Sequence, residues 1–374
     1  MKRFVYADNA ATTKLDIDAF EAMKPYLLDE YGNASQPYAF SRKPKKALKE
    51  AREIIARCIN ADPEEIYFTS GGTESDNWAI KGVALSDATK RAIITSQIEH
   101  HAVLRACESV EKIGYPVVYL PVNREGVVTI EALTDVITPS THLVSIMFAN
   151  NEIGTIEPIK ELCEISHKNG ALFHTDAVQA VGHVKIDVKE LGVDMLSASA
   201  HKFNGPKGVG FLYIKKGTPL LPYADGGAQE YGLRAGTENV SAIVGMAIAL
   251  KNNCERLSEN AEYIERLEHR LIEGLSSTSI KFVRNGGESH VPGNISLSFY
   301  GADGEALLHR LDLMGICVST GAACDTVNTQ VSHVLNAIGV HENLSKGTIR
   351  VSLSKLNSIE DVDCIVEALK KILV

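Results

Sequence analysis

Residues 196–207 read Leu-Ser-Ala-Ser-Ala-His-Lys-Phe-Asn-Gly-Pro-Lys, a run of small side chains that delivers His201 and Lys202 before Asn204, Gly205 and Pro206 break regular structure. A lysine in a tightly packed stretch needs a partner or gives up its proton. Desolvation lowers an amine's pKa, and a neutral amine attacks carbonyls. Lys202 is therefore a candidate Schiff-base lysine; the alternative is a surface loop whose lysine reaches water. A second stretch, Ser70-Gly-Gly-Thr-Glu74, sits between a strand-like and a helical segment. Gly71 and Gly72 let backbone N–H groups approach an anion at a helix start, and Thr73 adds a hydroxyl, which suits one phosphate. The stretch lacks the G-K-[ST] of a P-loop and the G-x-G-x-x-G of a dinucleotide site.

Five further groups carry polar chemistry in predicted strands, at strand ends or in loops. Asp176, closing a buried strand, needs a cation: a protonated ring nitrogen or a nearby basic side chain. Gln179, three residues on, can donate to a phenolate oxygen. His100, in Gln97-Ile-Glu-His-His-Ala102, can stack on a ring or move a proton near neutral pH. The amides of Asn150-Asn-Glu-Ile-Gly154 can bind a small acid or shape a turn. Cys324 lies in Cys317-Val-Ser-Thr-Gly-Ala-Ala-Cys-Asp325, a glycine-containing loop in which a cysteine is accessible as a nucleophile, whereas Cys58 and Cys163 sit in apolar helical patterns and read as small hydrophobes. Arg350, inside a predicted strand, suits a bidentate grip on a carboxylate or a structural ion pair.

These groups need a scaffold. The chain has 374 residues, 45% of them hydrophobic and 23% charged, enough for a large domain and a smaller one. A net charge of -9 argues against nucleic acid as a partner. The basic cluster Arg42, Lys43, Lys45, Lys46 and Lys49 reads as the solvated face of a helix. No signal-peptide core or membrane-spanning stretch is apparent, so a cytoplasmic location is expected. Seven scattered cysteines without a C-x-x-C give no disulfide framework and no metal centre. Strand-like runs at 66–70, 92–96, 117–122, 143–149, 171–175, 195–200 and 209–214 alternate with helical patterns, including one at 159–168. The expected fold is α/β: a mostly parallel central sheet with helices on both faces, whose ligands gather at the strands' carboxyl ends. Apolar residues at helical spacing over 242–273 predict one long helix. The remainder, with strands at 295–299, 316–319 and 349–353 and a last helix opening on Ser358-Ile-Glu-Asp361, reads as a smaller α+β domain.

A lysine for a Schiff base, a carboxylate for a ring nitrogen and a phosphate cradle together meet the needs of pyridoxal 5'-phosphate. The sequence resembles the cysteine desulfurases of the NifS/IscS kind, in the class V aminotransferase-like group. It does so through Tyr6-Ala-Asp-Asn-Ala-Ala-Thr-Thr13, Ser70-Gly-Gly-Thr-Glu-Ser75, Glu99-His-His-Ala-Val-Leu104, Asn150–Gly154, Asp176-Ala-Val-Gln179, His201-Lys202 with Gly205-Pro-Lys-Gly208, Arg234-Ala-Gly-Thr-Glu-Asn239 and Gly321-Ala-Ala-Cys324, in family order over nearly the whole chain.

The resemblance implies fold type I, with a cofactor-carrying domain over 12–255 and a small domain from 1–11 and 256–374. It implies that Lys202 holds the cofactor, His100 stacks on its ring, Asp176 pairs with the ring nitrogen and Gln179 meets the phenolate. Gly72, Thr73, Ser199 and His201 would bind the phosphate. Thr237 would reach the other subunit's phosphate in a homodimer, and Asn151 and Arg350 would bind the carboxylate of L-cysteine. Cys324 would take up sulfur as a persulfide, leaving L-alanine, for an acceptor protein such as an iron–sulfur scaffold or a tRNA-thiolation enzyme. The alternatives are another class V activity (aminotransferase, selenocysteine lyase or β-lyase) with Cys324 incidental, or a sulfur-relay scaffold of low turnover. The cysteine loop departs from its kin: Ser319-Thr-Gly-Ala-Ala-Cys324 stands for S-S-G-S-A-C, Val331 for a common proline, and Tyr38 for a histidine in Gly32–Tyr38.

Overall fold

A computed structural model describes residues 3–86, 92–320 and 332–374. Its strands, in chain order, are β1 (Val5–Tyr6), β2 (Ile66–Thr69), β3 (Ala92–Ser96), β4 (Val117–Leu120), β5 (Thr141–Ser145), β6 (Leu172–Asp176), β7 (Met195–Ser199), β8 (Gly210–Ile214), β9 (Phe282–Asn285), β10 (Asn294–Phe299), β11 (Ile316–Cys317), β12 (Ser319–Thr320) and β13 (Thr348–Ser352). Among the described residues, β2-β8-β7-β6-β5-β3-β4 form a seven-stranded sheet. The pairs β3–β4, β3–β5, β5–β6 and β6–β7 are parallel, and only β8 runs against its neighbours β2 and β7. The strands β5, β7 and β8 are buried along their whole length, the condition under which parallel strands become continuous apolar runs with no alternation. Apolar side chains pack on both faces: a larger cluster with Phe173, Phe203 and Phe211, and a second with Trp78, Ile93 and Leu212. The fold class expected from the alternation is the one observed.

A separate antiparallel sheet, β12-β13-β10-β9, carries its own core of Leu267, Leu271, Leu297, Phe299 and Ile349, which Val5 and Ala7 join from the chain's start. The 316–319 run is two strands, not one: at Val318 the chain crosses from pairing with β1 to pairing with β13. The helix Ile359–Leu373 opens on the Ser358/Asp361 capping box the sequence announces.

The long helix expected over 242–273 is two helices, Val240–Glu255 and Leu257–Ser276. Arg256 between them leaves the helical region (φ -116°, ψ 20°). The two halves serve different cores. Ile243, Met246 and Leu250 bury against the large sheet, while Ile264, Leu267, Leu271 and Leu275 bury against the small one. The apolar spacing runs on through the break, so periodicity does not reveal it.

The basic cluster lies on helix Arg42–Ile59, whose buried stripe is Ala47, Leu48, Ala51, Ile55 and Ile59. Its lysines face solvent and pair with neighbouring acids: Lys43 with Glu30, Lys46 with Glu50, Lys49 with Glu53. No helix of the described residues is long and apolar enough to cross a membrane.

Candidate active site

The segments leaving the carboxyl ends of β2, β3, β5, β6 and β7 converge on a cavity of about 580 Å³, the place where open α/β sheets collect ligands. Gly72, Thr73, His100, Asn151, Asp176, Gln179, Ser199, His201, Lys202 and Arg350 all line it. Thr237 does not: it is exposed beside a smaller cavity of about 120 Å³ that shares Ser70 and Gly208 with the large one. Cys324 lies outside the described residues.

Lys202 ends a short 3-10 turn, Ala200–Lys202, directly after β7. Its Nζ donates to the carbonyls of Ala10 (2.5 Å) and Ala11 (3.0 Å), and Gln179 Nε2 donates to the Ala10 carbonyl as well (3.0 Å). The N-terminal segment is thus a strap across the mouth of the site, tied further by Thr13 Oγ1 donating to the His201 carbonyl. Behind the lysine, His183 Nε2 bonds the Lys202 carbonyl and Asn253 Nδ2 donates to that of Phe203, both at 2.8 Å. The turn is fixed on both sides, so the amine's position is set by backbone and not by a free rotamer.

Asp176 closes β6 and is 5% exposed. One carboxylate oxygen accepts from Val178 N (2.9 Å). Burial pushes its pKa up to about 6, against the pull of that bond and of Lys202. Deeper still is Asp76, on helix Gly72–Ala84, whose carboxyl is also held well above the usual range by burial and then by Asp176. His174 stands 3.7 Å from Asp76 Oδ1. Its ring is bonded on both sides, to Ser145 Oγ and to Ser197 Oγ, each at 2.9 Å. Burial lowers its pKa to about 3, so it is neutral and offers the two carboxyls no compensating charge. His100 caps helix His101–Glu111 through Nδ1, which accepts from Ala102 N (3.1 Å). Burial first, then Lys202, lowers both His100 and His201 to about 4. Both rings are neutral near pH 7, flat and without charge.

At the other end, Gly71 (φ 147°) turns the chain from β2 into helix Gly72–Ala84. A Cβ on Gly72 would lie 2.5 Å from Val178 Cγ2, so only glycine lets the helix start come this close. Ser199 and His201 face the same corner of the cavity. Glu74, in the helix's first turn, takes Arg234 in a two-point grip (2.8 and 3.2 Å). That pair docks the Arg234–Thr237 segment beside the glycine turn. Sequence reasoning assigned neither residue a role: each is an ordinary charge until the fold joins positions 160 apart.

Arg350, on β13, is 2% exposed. Its Nη1 donates to the Asn151 carbonyl (2.9 Å) and its Nη2 to Asp8 Oδ1 (2.8 Å), while Nε is buried without a hydrogen-bond partner. Asp8 is a third residue, after Glu74 and Arg234, that the sequence reading left without a function. Breaking a nearly buried pair strands the remaining charge, so Asp8→Ala is expected to destabilise the protein by roughly 3 kcal/mol. A lower urea midpoint at unchanged m checks it; an unchanged midpoint refutes it.

The chain matches the model of the class-V aminotransferase family over residues 5–365. It is 49% identical to the cysteine desulfurase IscS of Dictyoglomus turgidum and 48% identical to that of Clostridium botulinum strain Hall, in each case over 100% of this chain and 95% of the relative. A solved structure described as a NifS-like protein superposes with a TM-score of 0.94 at 41% identity, covering 99% of both chains. The chain belongs to the class-V aminotransferase family, and within it to the cysteine desulfurases of the NifS/IscS kind.

Proposed function

We propose that the 580 Å³ cavity holds pyridoxal 5'-phosphate and L-cysteine and that the protein converts cysteine to L-alanine, passing the sulfur to Cys324. One observation carries this reading: a lysine amine, a buried carboxyl whose pKa stays raised despite that lysine, and a glycine-turn helix start line a single cavity. The residues fit the cofactor. Asp176 is a buried acid with a raised pKa, which a protonated ring nitrogen would compensate. The Gly71–Gly72 turn with Thr73, Ser199 and His201 offers backbone and hydroxyl donors to a phosphate.

When bound, pyridoxal phosphate supplies an electron sink for bond cleavage next to the substrate's amino-bearing carbon. Lys202 Nζ holds the cofactor at rest and, once displaced, moves a proton at the substrate Cα. His100, a neutral imidazole lining the cavity, would pack on the cofactor ring, and Gln179 Nε2 would be the donor available to its phenolate oxygen. Arg350 and Asn151, which line the cavity, grip the substrate carboxylate. The Cys324 thiolate would attack the substrate sulfur. The S–S bond forms, and the substrate Cβ–S bond breaks with its electron pair left on the fragment that takes up a proton to become alanine. The sulfur stays on Cys324 as a persulfide.

The reaction divides between a cofactor-carrying domain of 12–255 and a smaller domain of 1–11 and 256–374. The working unit is a homodimer, in which Thr237, exposed beside the glycine turn, reaches the partner's phosphate. In the cytoplasm the sulfur passes to an acceptor protein, an iron–sulfur scaffold or a tRNA-thiolation enzyme.

The test follows alanine and sulfide together from purified protein with L-cysteine and a thiol acceptor. Cys324→Ala is expected to lose sulfur transfer by roughly 10²-fold or more, the scale of a lost nucleophile, with cofactor binding unchanged. Sulfide release by Cys324→Ala at the wild-type rate would make Cys324 incidental and favour another β-lyase chemistry.

A further inference from the structure

The helices Arg42–Ile59 and Val240–Glu255 pack against each other behind the Lys202 turn, and each ends on a cysteine turn. Cys58 and Cys254, both half-buried and neither in a disulfide, line a second cavity of about 220 Å³. Both cysteines thus face one cavity from the ends of two packed helices. The sequence reading took Cys58 for a small hydrophobe, and it does pack against the large core; the fold also brings it to the same cavity as Cys254, 196 positions away.

The cavity has a structural cause. The helix Val240–Glu255 stops at Arg256, two residues past Cys254, where the chain turns toward the second core. No further helical turn covers that cysteine, and Leu257 forms part of the wall instead. The rim carries the exposed cations Arg57 and Lys185.

We propose that Cys58 and Cys254 form a redox-modification site, a dithiol that reacts with small amino-acid disulfides of the L-cystine class. Several features combine here. Two thiols on one cavity can close into a disulfide, whereas a single half-buried cysteine stops at a mixed disulfide. A pair that shares one proton loses it more readily than an isolated thiol: Cys254, accepting from Cys58, is pulled below its ordinary range, while Cys58 is pushed up by that bond and by burial. Arg57 and Lys185 suit the carboxylates of an amino-acid disulfide. Access is through the cavity, which is open to one arm of such a ligand.

The Cys254 thiolate attacks one sulfur of cystine; the cystine S–S bond breaks, a mixed disulfide forms, and one cysteine leaves as its thiolate. The Cys58 thiol gives its proton to that thiolate and attacks Cys254 Sγ. A Cys58–Cys254 bond forms, and the second cysteine leaves. Two electrons pass from the protein pair to cystine, which ends as two cysteines.

This proposal does not depend on the desulfurase reading, and site-resolved mapping keeps it apart from any reaction at Cys324. Reduced full-length holoenzyme is treated with L-cystine, alkylated and digested without reductant. In the wild type, the Cys58 and Cys254 peptides are expected to appear joined in most molecules. In Cys58→Ala, a single cysteine is expected to stay trapped on Cys254; in Cys254→Ala, the Cys58 peptide is expected to remain several-fold less modified. The wild-type result alone is decisive, whether or not the variants fold. Free thiols at both sites, or separate cysteine adducts without the cross-link, would overturn the proposal.

Discussion

Lys202→Ala is expected to abolish alanine formation from cysteine, by roughly 10⁴-fold or more, since it removes both the attachment point and a proton-moving group that by itself contributes about 10²–10⁴-fold. The variant also loses two hydrogen bonds, to the carbonyls of Ala10 and Ala11, that hold the N-terminal strap over the site. Losing them costs about 1–2 kcal/mol of stability, because part-buried acceptors are left unmet. Lys202→Arg separates the two effects. Its guanidinium can still donate to the strap, so stability recovers, but a permanently charged group attacks no carbonyl and turnover stays lost. The measurements are alanine production and thermal unfolding on the same preparations. Alanine formation by Lys202→Ala within tenfold of the wild type would remove Lys202 from the reaction.

Asp176→Asn is expected to move two quantities in opposite directions. Without cofactor, the folded protein holds the Asp176 proton more tightly than the unfolded chain, since burial raises its pKa to about 6. A raised carboxyl contributes stability that is full below the ordinary carboxylate range near 4 and is lost as pH rises through 6. Above that window, wild-type apoprotein carries the burden of a buried charge that Asn does not, so the variant is more stable by up to about 3 kcal/mol. Asn keeps the oxygen that accepts from Val178 N, so the turn after β6 is retained. The cofactor complex shows the reverse. A neutral amide leaves a protonated ring nitrogen without its counter-charge, and cofactor affinity is expected to fall by roughly 10²-fold or more. Apoprotein melts at pH 5 and pH 8, with cofactor titrations of both proteins, give both signs. Equal cofactor affinity in the two proteins would assign the ring contact elsewhere. The proximity of Asp76 sharpens the case: it sits deeper, shares the burial penalty, and the histidine beside it is neutral. Asp176 at the end of β6 and Asp76 on the helix Gly72–Ala84 are therefore two neighbouring buried acids that a bound cation would relieve, a trade of apoprotein stability for function.

The chemistry-bearing residues were legible because each is tied to a local pattern. Glycine-glycine before a helical run, an acid at the end of an apolar run and a lysine after a string of small residues mark strand ends, and strand ends of parallel sheets face one side. Elements such as Ala92–Ser96 and the helix Ile159–Lys168 follow from the same local periodicity, and their observed limits coincide with those expected. The strand expected over 143–149 shows where this fails. It ends at Ser145 in the structure, yet Ile146 N and Phe148 N continue to bond the His174 and Asp176 carbonyls, so the backbone keeps its register while the chain peels away toward the cavity.

The sequence by itself determined the alternation of strands and helices, the placing of Lys202, Asp176 and the Gly71–Gly72 turn at strand ends, and the cofactor class those three imply. Local spacing suffices for that, since side-chain period and turn chemistry act over a few residues. Only the tertiary structure decided which distant groups meet. Asp8 pairs with Arg350 across 342 positions, Glu74 grips Arg234 across 160, and the Ala10 and Ala11 carbonyls hold Lys202 from nearly 200 residues away. The break at Arg256 belongs with them. Its two flanking helices have one uninterrupted apolar spacing, and what separates them is that each must bury its stripe against a different core. Such choices depend on packing between layers, which no local window of sequence contains.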